Sequence, residues 1–203
     1  MVKSSLYLVA VFLMLGAGLG SGPSVAQVAP AQAVTPTGNV GVDAPNELAP
    51  YGTGWMPKGS GALRFFGFKA YDATLWLANA QTAFAFSKPF ALEIRYATTV
   101  KAKDITNTSL VELQRISTSS PDQITAWSKF MDSVFVDVKA GDRLTGVHLP
   151  GAGVRFFLNG KLLGESPDVA FSEAFFKIWM DPKTKRKDLR SALLSLPTES
   201  PSQ

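Results

Sequence analysis

The sequence predicts an α+β domain built on a large, mostly antiparallel sheet with helices laid against it. Three observations predict it. Residues 90–98 alternate Phe90, Leu92, Ile94 and Tyr96 with Ala91, Glu93, Arg95 and Ala97, the two-residue period of a strand with one buried face. Residues 143–164 hold three short apolar runs separated by Pro150-Gly151-Ala152-Gly153 and by Asn159-Gly160, turn sequences that fold neighbouring strands back on one another. The segments 120–135 and 166–182 carry apolar residues at helical spacing behind capping residues.

At 203 residues the chain is long enough for one domain with a sizeable core, and 14 Phe and 4 Trp supply an interior. Residues 1–26 have the pattern of a secretory signal: Lys3 as the positive charge, an apolar run over 6–15, and Ser24-Val25-Ala26 as a small-x-small cleavage site. The run is short for a span and is followed by Gly16, Gly18, Gly20 and Gly22. An exported, periplasmic chain beginning near Gln27 is expected, with no membrane span once the signal is removed; an uncleaved anchor is the alternative. Residues 27–50 are rich in Ala, Val, Pro, Gly and Thr without apolar period, and are expected to form a disordered tether. The folded domain is expected over 51–196, with a flexible tail at 197–203.

Within the domain, Gly59-Ser60-Gly61 predicts a turn and residues 63–77 a strand. That strand is aromatic or apolar on both parities, so both its faces are expected to be covered. Gly67 inside it marks a bulge or a close backbone approach. Residues 79–88 connect it to the strand at 90–98. Residues 104–117 predict a helix capped by Asp104 or Thr106, with Ile105, Leu110, Leu113 and Ile116 on one side. The helix that follows opens on Ser120-Pro121-Asp122-Gln123, a cap, an N1 proline and a capping-box Gln. Its apolar residues Ile124, Trp127, Phe130, Met131 and Val134 keep a 3.6 period. After the three-strand meander, Ser166-Pro167-Asp168 opens a helix with Phe171, Ala174, Phe175 and Ile178 on one stripe. Residues 187–196 predict a last short helix.

Composition excludes several chemistries. With no cysteine and one histidine, neither a thiolate nor a histidine-rich metal site is available, nor a cysteine nucleophile. A net charge of +4 is mild and argues for no nucleic-acid partner. No Gly-rich phosphate loop is present, since Gly151-x-Gly153 belongs to a hairpin turn, and no cofactor is expected. His148 lies mid-strand beside Val147 and Leu149, a structural position. The basic run Lys183, Lys185, Arg186 and Lys187 has the pattern of a solvated helix start, with an anionic membrane surface or ligand as the alternative.

Arg64, Lys69 and Tyr71 stand out on the strand 63–77 because they interrupt Phe, Leu and Trp. In one reading the cations snorkel to the rim and Tyr71 packs with its hydroxyl satisfied. In the other, all three form the polar end of an apolar pocket suited to an amphipathic acid.

Three segments carry a resemblance to a known family: GSGALRFFGFKAYDATLWL at 59–77, FALEIRYA at 90–97, and the run from ITAWSKFMDSVF through KAGDRLTGVHLPGAGVRFFLNGKLLGE to AFFKIWMDP. Over about 59–194 the chain resembles the chalcone isomerase-like superfamily, in particular its exported bacterial members. The resemblance implies an open-faced sandwich, with a helix layer on one face of the sheet and a ligand cleft between the layers. It also implies one of two activities. Plant chalcone isomerases close a flavanone ring by intramolecular addition, and plastid relatives bind fatty acids without catalysis.

The enzymes of the family use an Arg at the first hairpin, a Thr on the next strand, a Tyr and an Asn on the first helix, and a Thr or Ser on the helix after the last strand. Here Arg64 lies near the Arg position and Lys69 stands where the Thr would be. The helix at 104–117 has no Tyr, and its Asn107 sits near its start; Lys177 takes the last hydroxyl's place. The resemblance therefore implies a non-catalytic protein binding a small amphipathic acid such as a fatty acid through Arg64, Lys69 and Tyr71. An isomerase or intramolecular lyase would need an acid–base pair such as Tyr71 with Asp72, although neighbouring strand residues point to opposite faces. A structural or protein-binding domain, its cleft closed by Phe and Trp, is the third reading.

Overall fold

The computed structural model describes residues 43–197, so the expected signal, most of the tether and the end of the tail lie outside the described residues. Six strands form one sheet in chain order: β1 (Met56–Phe65), β2 (Phe68–Leu77), β3 (Phe90–Tyr96), β4 (Arg143–Leu149), β5 (Gly153–Leu158) and β6 (Lys161–Ser166). Every neighbouring pair is antiparallel. Helices α1 (Ala102–Ile116) and α2 (Pro121–Val134) are inserted between β3 and β4, and α3 (Val169–Met180) and α4 (Lys187–Leu194) follow β6. Among the described residues no helix is long and apolar enough to cross a membrane.

Strand alternation sorts the core. Ala73, Leu75 and Leu77 of β2 and Phe90, Leu92 and Ile94 of β3 face the helices, where they meet Leu113, Met131, Phe175, Phe176 and Leu193. Trp76, Ala91, Val147 and Phe157 face the other way. The result is the expected open-faced α+β sandwich with a helix layer on one face.

The opposite face is not wholly open. A 3-10 helix at Asn46–Tyr51 lays Leu48 over it, with Trp55 alongside. The folded domain thus begins before Tyr51, which corrects the tether boundary. Glu47 ties this segment down: its carboxylate accepts from Arg143 Nη2 at 3.0 Å and from Thr145 Oγ1 at 2.9 Å.

Residues 63–77 form a hairpin and not one strand. Phe66 and Gly67 make its turn with φ of +48° and +84°, the positive pair of a type I′ turn. Gly59 and Gly61 lie inside β1 and do not form a turn. They are glycine because α4 crosses there: a Cβ on Gly59 would collide with Ala192 O, and one on Gly61 would stand 2.9 Å from Ala192 Cβ.

The helix boundaries follow their caps. Ser120 and Gln123 form the expected capping box at α2. Helix α1 starts at Ala102, two residues early, because Asp137 Oδ1 accepts from Ala102 N at 2.9 Å. In α3 the cap is Asp168, which accepts from Phe171 N, and β6 runs on to Ser166.

Candidate functional site

The three residues singled out in the sequence do not converge. Arg64 follows the helix-facing Leu63, so it points to the other face; it is exposed and donates to Gly67 O at 3.3 Å. The register slips by one residue of β2 between the Leu63–Tyr71 and Arg64–Lys69 pairs. This bulge puts Lys69 in reach of Asp72, with Nζ 2.7 Å from Oδ2. Both groups are exposed. Only Tyr71 enters the space between sheet and helices. Tyr71 and Asp72 therefore form no acid–base pair: one side chain meets α3 and the other meets Lys69.

Tyr71 is held from the helix layer. Trp179 of α3 donates its indole N–H to the Tyr71 hydroxyl oxygen at 3.0 Å, and Tyr96 of β3 packs against its ring nearly edge-on, 6.1 Å between centroids. Burial pushes the Tyr71 hydroxyl up to about 12, against the opposing pull of the Trp179 hydrogen bond and the Arg186 charge. The group is a neutral phenol at ordinary pH. Its oxygen accepts from Trp179, and its O–H donates to no acceptor among the described residues. Burial also drives the Tyr96 hydroxyl far above its ordinary value. On α1, the wholly buried Thr106 hydroxyl has no partner among the described residues.

A cation whose charge acts on the Tyr71 hydroxyl is Arg186, from the connection between α3 and α4. Its guanidinium donates to Arg64 O at 3.0 Å, pairs with Asp188 at 2.7 Å and lies over the Phe65 ring. A chain reversal after α3 thus returns the basic run to the β1–β2 hairpin. A linear reading of the run as a helix start contains no sign of this.

From Tyr71 and Tyr96 the packed interlayer core follows β3 past Ile94 and Leu92 to Phe90. There it ends in interlocked rings. Phe84 and Phe86, from the connection between β2 and β3, meet Phe90 edge to face, and His148 stacks on Phe90 at 4.7 Å. His148 is structural: Nε2 lies 2.8 Å from Phe86 O and Nδ1 lies 2.7 Å from Ser172 Oγ. A carbonyl only accepts, so the ring proton is assigned to Nε2. Desolvation holds the ring below its ordinary pKa despite the Phe86 carbonyl.

A separate groove of about 330 Å³ lies outside the layers, between the α1–α2 elbow and α3. Ser117, Thr118, Ser119, Glu173, Lys177 and Asp181 line much of it, giving it a polar wall. Among the described residues no cluster of His, Asp or Glu is placed to hold a metal ion.

Comparison with known proteins agrees with this geometry. The crystal structure of a fatty-acid binding protein from Arabidopsis thaliana superposes with a TM-score of 0.55 at 9% identity, over 71% of this chain and 90% of that one. At that identity the likeness shows the fold. A search of curated proteins finds no match. A family model described as chalcone isomerase-like matches residues 39–195, which takes in the whole sheet, all four helices and the Tyr71 site. The chain belongs to the chalcone isomerase-like family.

Proposed function

We propose that this chain is an exported, non-catalytic chalcone isomerase-like module that binds a small amphipathic acid such as a fatty acid between its sheet and its helix layer. The observation that carries the reading is the Tyr71 hydroxyl. It is half-buried and neutral, it is positioned through its oxygen by Trp179, and its own proton has no acceptor among the described residues, in the field of the Arg186 charge. A phenol donor in the field of a guanidinium favours a carboxylate, which here shares Arg186 with Asp188. Arg186 takes the cationic role in place of Arg64 and Lys69, which lie on the far side of the hairpin.

Behind Tyr71 the apolar layer runs along β3 for about 20 Å at the rise of a strand, and it is filled by packed side chains that an acyl tail has to displace. The layer ends at Phe84 and Phe86, which are partly buried on a connection outside the helices and strands; an acyl tail entering the layer has to move these rings. The fatty-acid binding stated for the Arabidopsis protein of the same fold supports this ligand class. The signal pattern of residues 1–26 supports export. N-terminal sequencing of the protein recovered from the periplasm should begin near Gln27; an intact Met1 terminus would contradict this.

Titration with oleate, read by tryptophan emission, tests the site. Tyr71→Phe and Arg186→Gln should each weaken binding by about tenfold or more. Equal affinities in all three proteins reject the assignment.

One observation favours a second reading, a structural or protein-binding domain. Phe84, Phe86, Phe90, Phe175, Phe176 and Trp179 interlock and fill the space between the layers. If those rings are a permanent core, no acyl chain enters and oleate leaves the unfolding temperature unchanged.

A further inference from the structure

The tip of the β1–β2 hairpin is built against ordinary folding preference. Phe65, Phe66 and Phe68 are 58%, 96% and 72% exposed, three large apolar side chains within four residues. Such a cluster on a surface marks an interaction site. Phe66 also occupies a left-handed backbone position, φ +48°, where a bulky residue is strained. The same chain shows the usual solution elsewhere. The β5–β6 turn has nearly the same dihedrals, with φ of +51° and +85°, and uses Asn159-Gly160. There Asn159 Oδ1 accepts from Arg143 N and Nδ2 donates to Asp142. Phe66 is almost wholly exposed, so its ring gains little from the rest of the chain. Fold stability does not account for a phenylalanine there.

The surroundings say what it meets. Arg64 and Lys69 flank the turn, Arg186 lies over Phe65, and Lys187 is its neighbour at the start of α4. Two acids stand among these four cations, Asp72 and Asp188, and each is paired with one of them. Arg64 and Lys187 are in no ion pair among the described residues, and the tip is net positive. Aromatic rings at the apex with cations set back around them match the depth profile of an anionic bilayer surface: rings reach the acyl boundary while the cations stay with the headgroups.

We propose that the β1–β2 hairpin tip is a membrane-docking wedge, in which Phe65, Phe66 and Phe68 insert into an anionic lipid surface held by Arg64, Lys69, Arg186 and Lys187. The wedge stands whether or not the interior takes a ligand.

The full chain with Phe66→Trp is mixed with vesicles of phosphatidylcholine containing phosphatidylglycerol, and the spectrum of the parent chain is subtracted. Emission of the introduced indole should shift to the blue and be quenched by lipids brominated on the acyl chain. The response should weaken with salt and on phosphatidylcholine alone. Phe66→Asn combined with Phe68→Ser should lower vesicle binding by about tenfold or more. Phe66→Asn alone should hold or raise the unfolding temperature, because Asn suits the turn. An unshifted, unquenched indole at the turn of a vesicle-bound chain overturns the proposal, since binding would then come from another part of the molecule. So does a dimer in solution that Phe66→Asn dissolves, which would make the tip a protein interface.

Discussion

Trp179 donates its indole N–H to the hydroxyl oxygen of Tyr71 at 3.0 Å, linking the helix layer to the second strand near the β1–β2 hairpin. The hydrogen bond holds the phenol oxygen and leaves its proton without an acceptor among the described residues. Tyr71→Phe leaves the indole without an acceptor in a half-buried place. It should cost about 1–2 kcal/mol, read as a shift in the urea midpoint. Trp179→Phe should cost a similar amount, and the double variant less than the sum of the two singles. Additive losses would mean the two groups act independently.

Glu47 anchors the segment that covers the outer face. Its side chain is 2% exposed and that of its partner Arg143 is 18% exposed. Glu47→Ala removes one member of a largely buried pair and leaves Thr145 without its acceptor. A loss of about 2–3 kcal/mol is expected, somewhat reduced from the fully buried case because Arg143 still reaches solvent. Proteolysis should then open the chain near Tyr51, where the 3-10 helix lifts from Phe157. Unchanged stability and unchanged cleavage would show that the segment is held by Leu48 and Trp55 alone.

Of the glycines, Gly59 is the one at which the sheet comes nearest to the helix layer. Gly59→Ala drives a methyl into Ala192 O and puts it 2.6 Å from Leu193 O, both backbone atoms that cannot step aside. About 3 kcal/mol should be lost, and hydrogen exchange should rise in α4 before the rest of the chain. Gly67→Ala meets nothing within 4 Å, so its cost should be confined to the strained backbone, about 1 kcal/mol.

His148 gives the fold an acid sensitivity. Desolvation lowers its pKa from the ordinary 6.5, so the unfolded chain takes up its proton at a higher pH than the folded one. The stability is present above about pH 6.5 and is lost as pH falls through the lower folded pKa. It is the one histidine of the chain, so the stability loss that sets in as pH falls below about 6.5 should be reduced in His148→Gln. A variant that keeps the slope would place the proton uptake elsewhere.

Most of the fold was legible because its signals are local. The alternation of 90–98, the capping box at Ser120 and the Asn159-Gly160 turn each specify an element from residues a few positions apart. The first hairpin escaped because its turn uses Phe66, a residue that seldom adopts positive φ, between apolar runs that look continuous. Gly59 and Gly61 resemble a turn until α4 is laid across them. Leu48 and Trp55 are isolated apolar residues in a sequence without period, and only the sheet face that they cover gives them a role.

The site was legible in the same uneven way. Tyr71 is where a polar group interrupts an apolar strand. Lys69 and Arg64 share that pattern, but one bulge and one alternation put them outside. Arg186 and Trp179 reach Tyr71 only through the packing of α3 and the reversal before α4.

Native mass spectrometry of the chain purified from cells, followed by extraction and identification of any released small molecule, tests the central claim most directly. The account predicts a bound long-chain fatty acid, retained by the parent chain and lost in Tyr71→Phe. A clean unliganded mass, with no thermal stabilisation by any fatty acid tested, would contradict it and leave the aromatic rings between the layers as a permanent core.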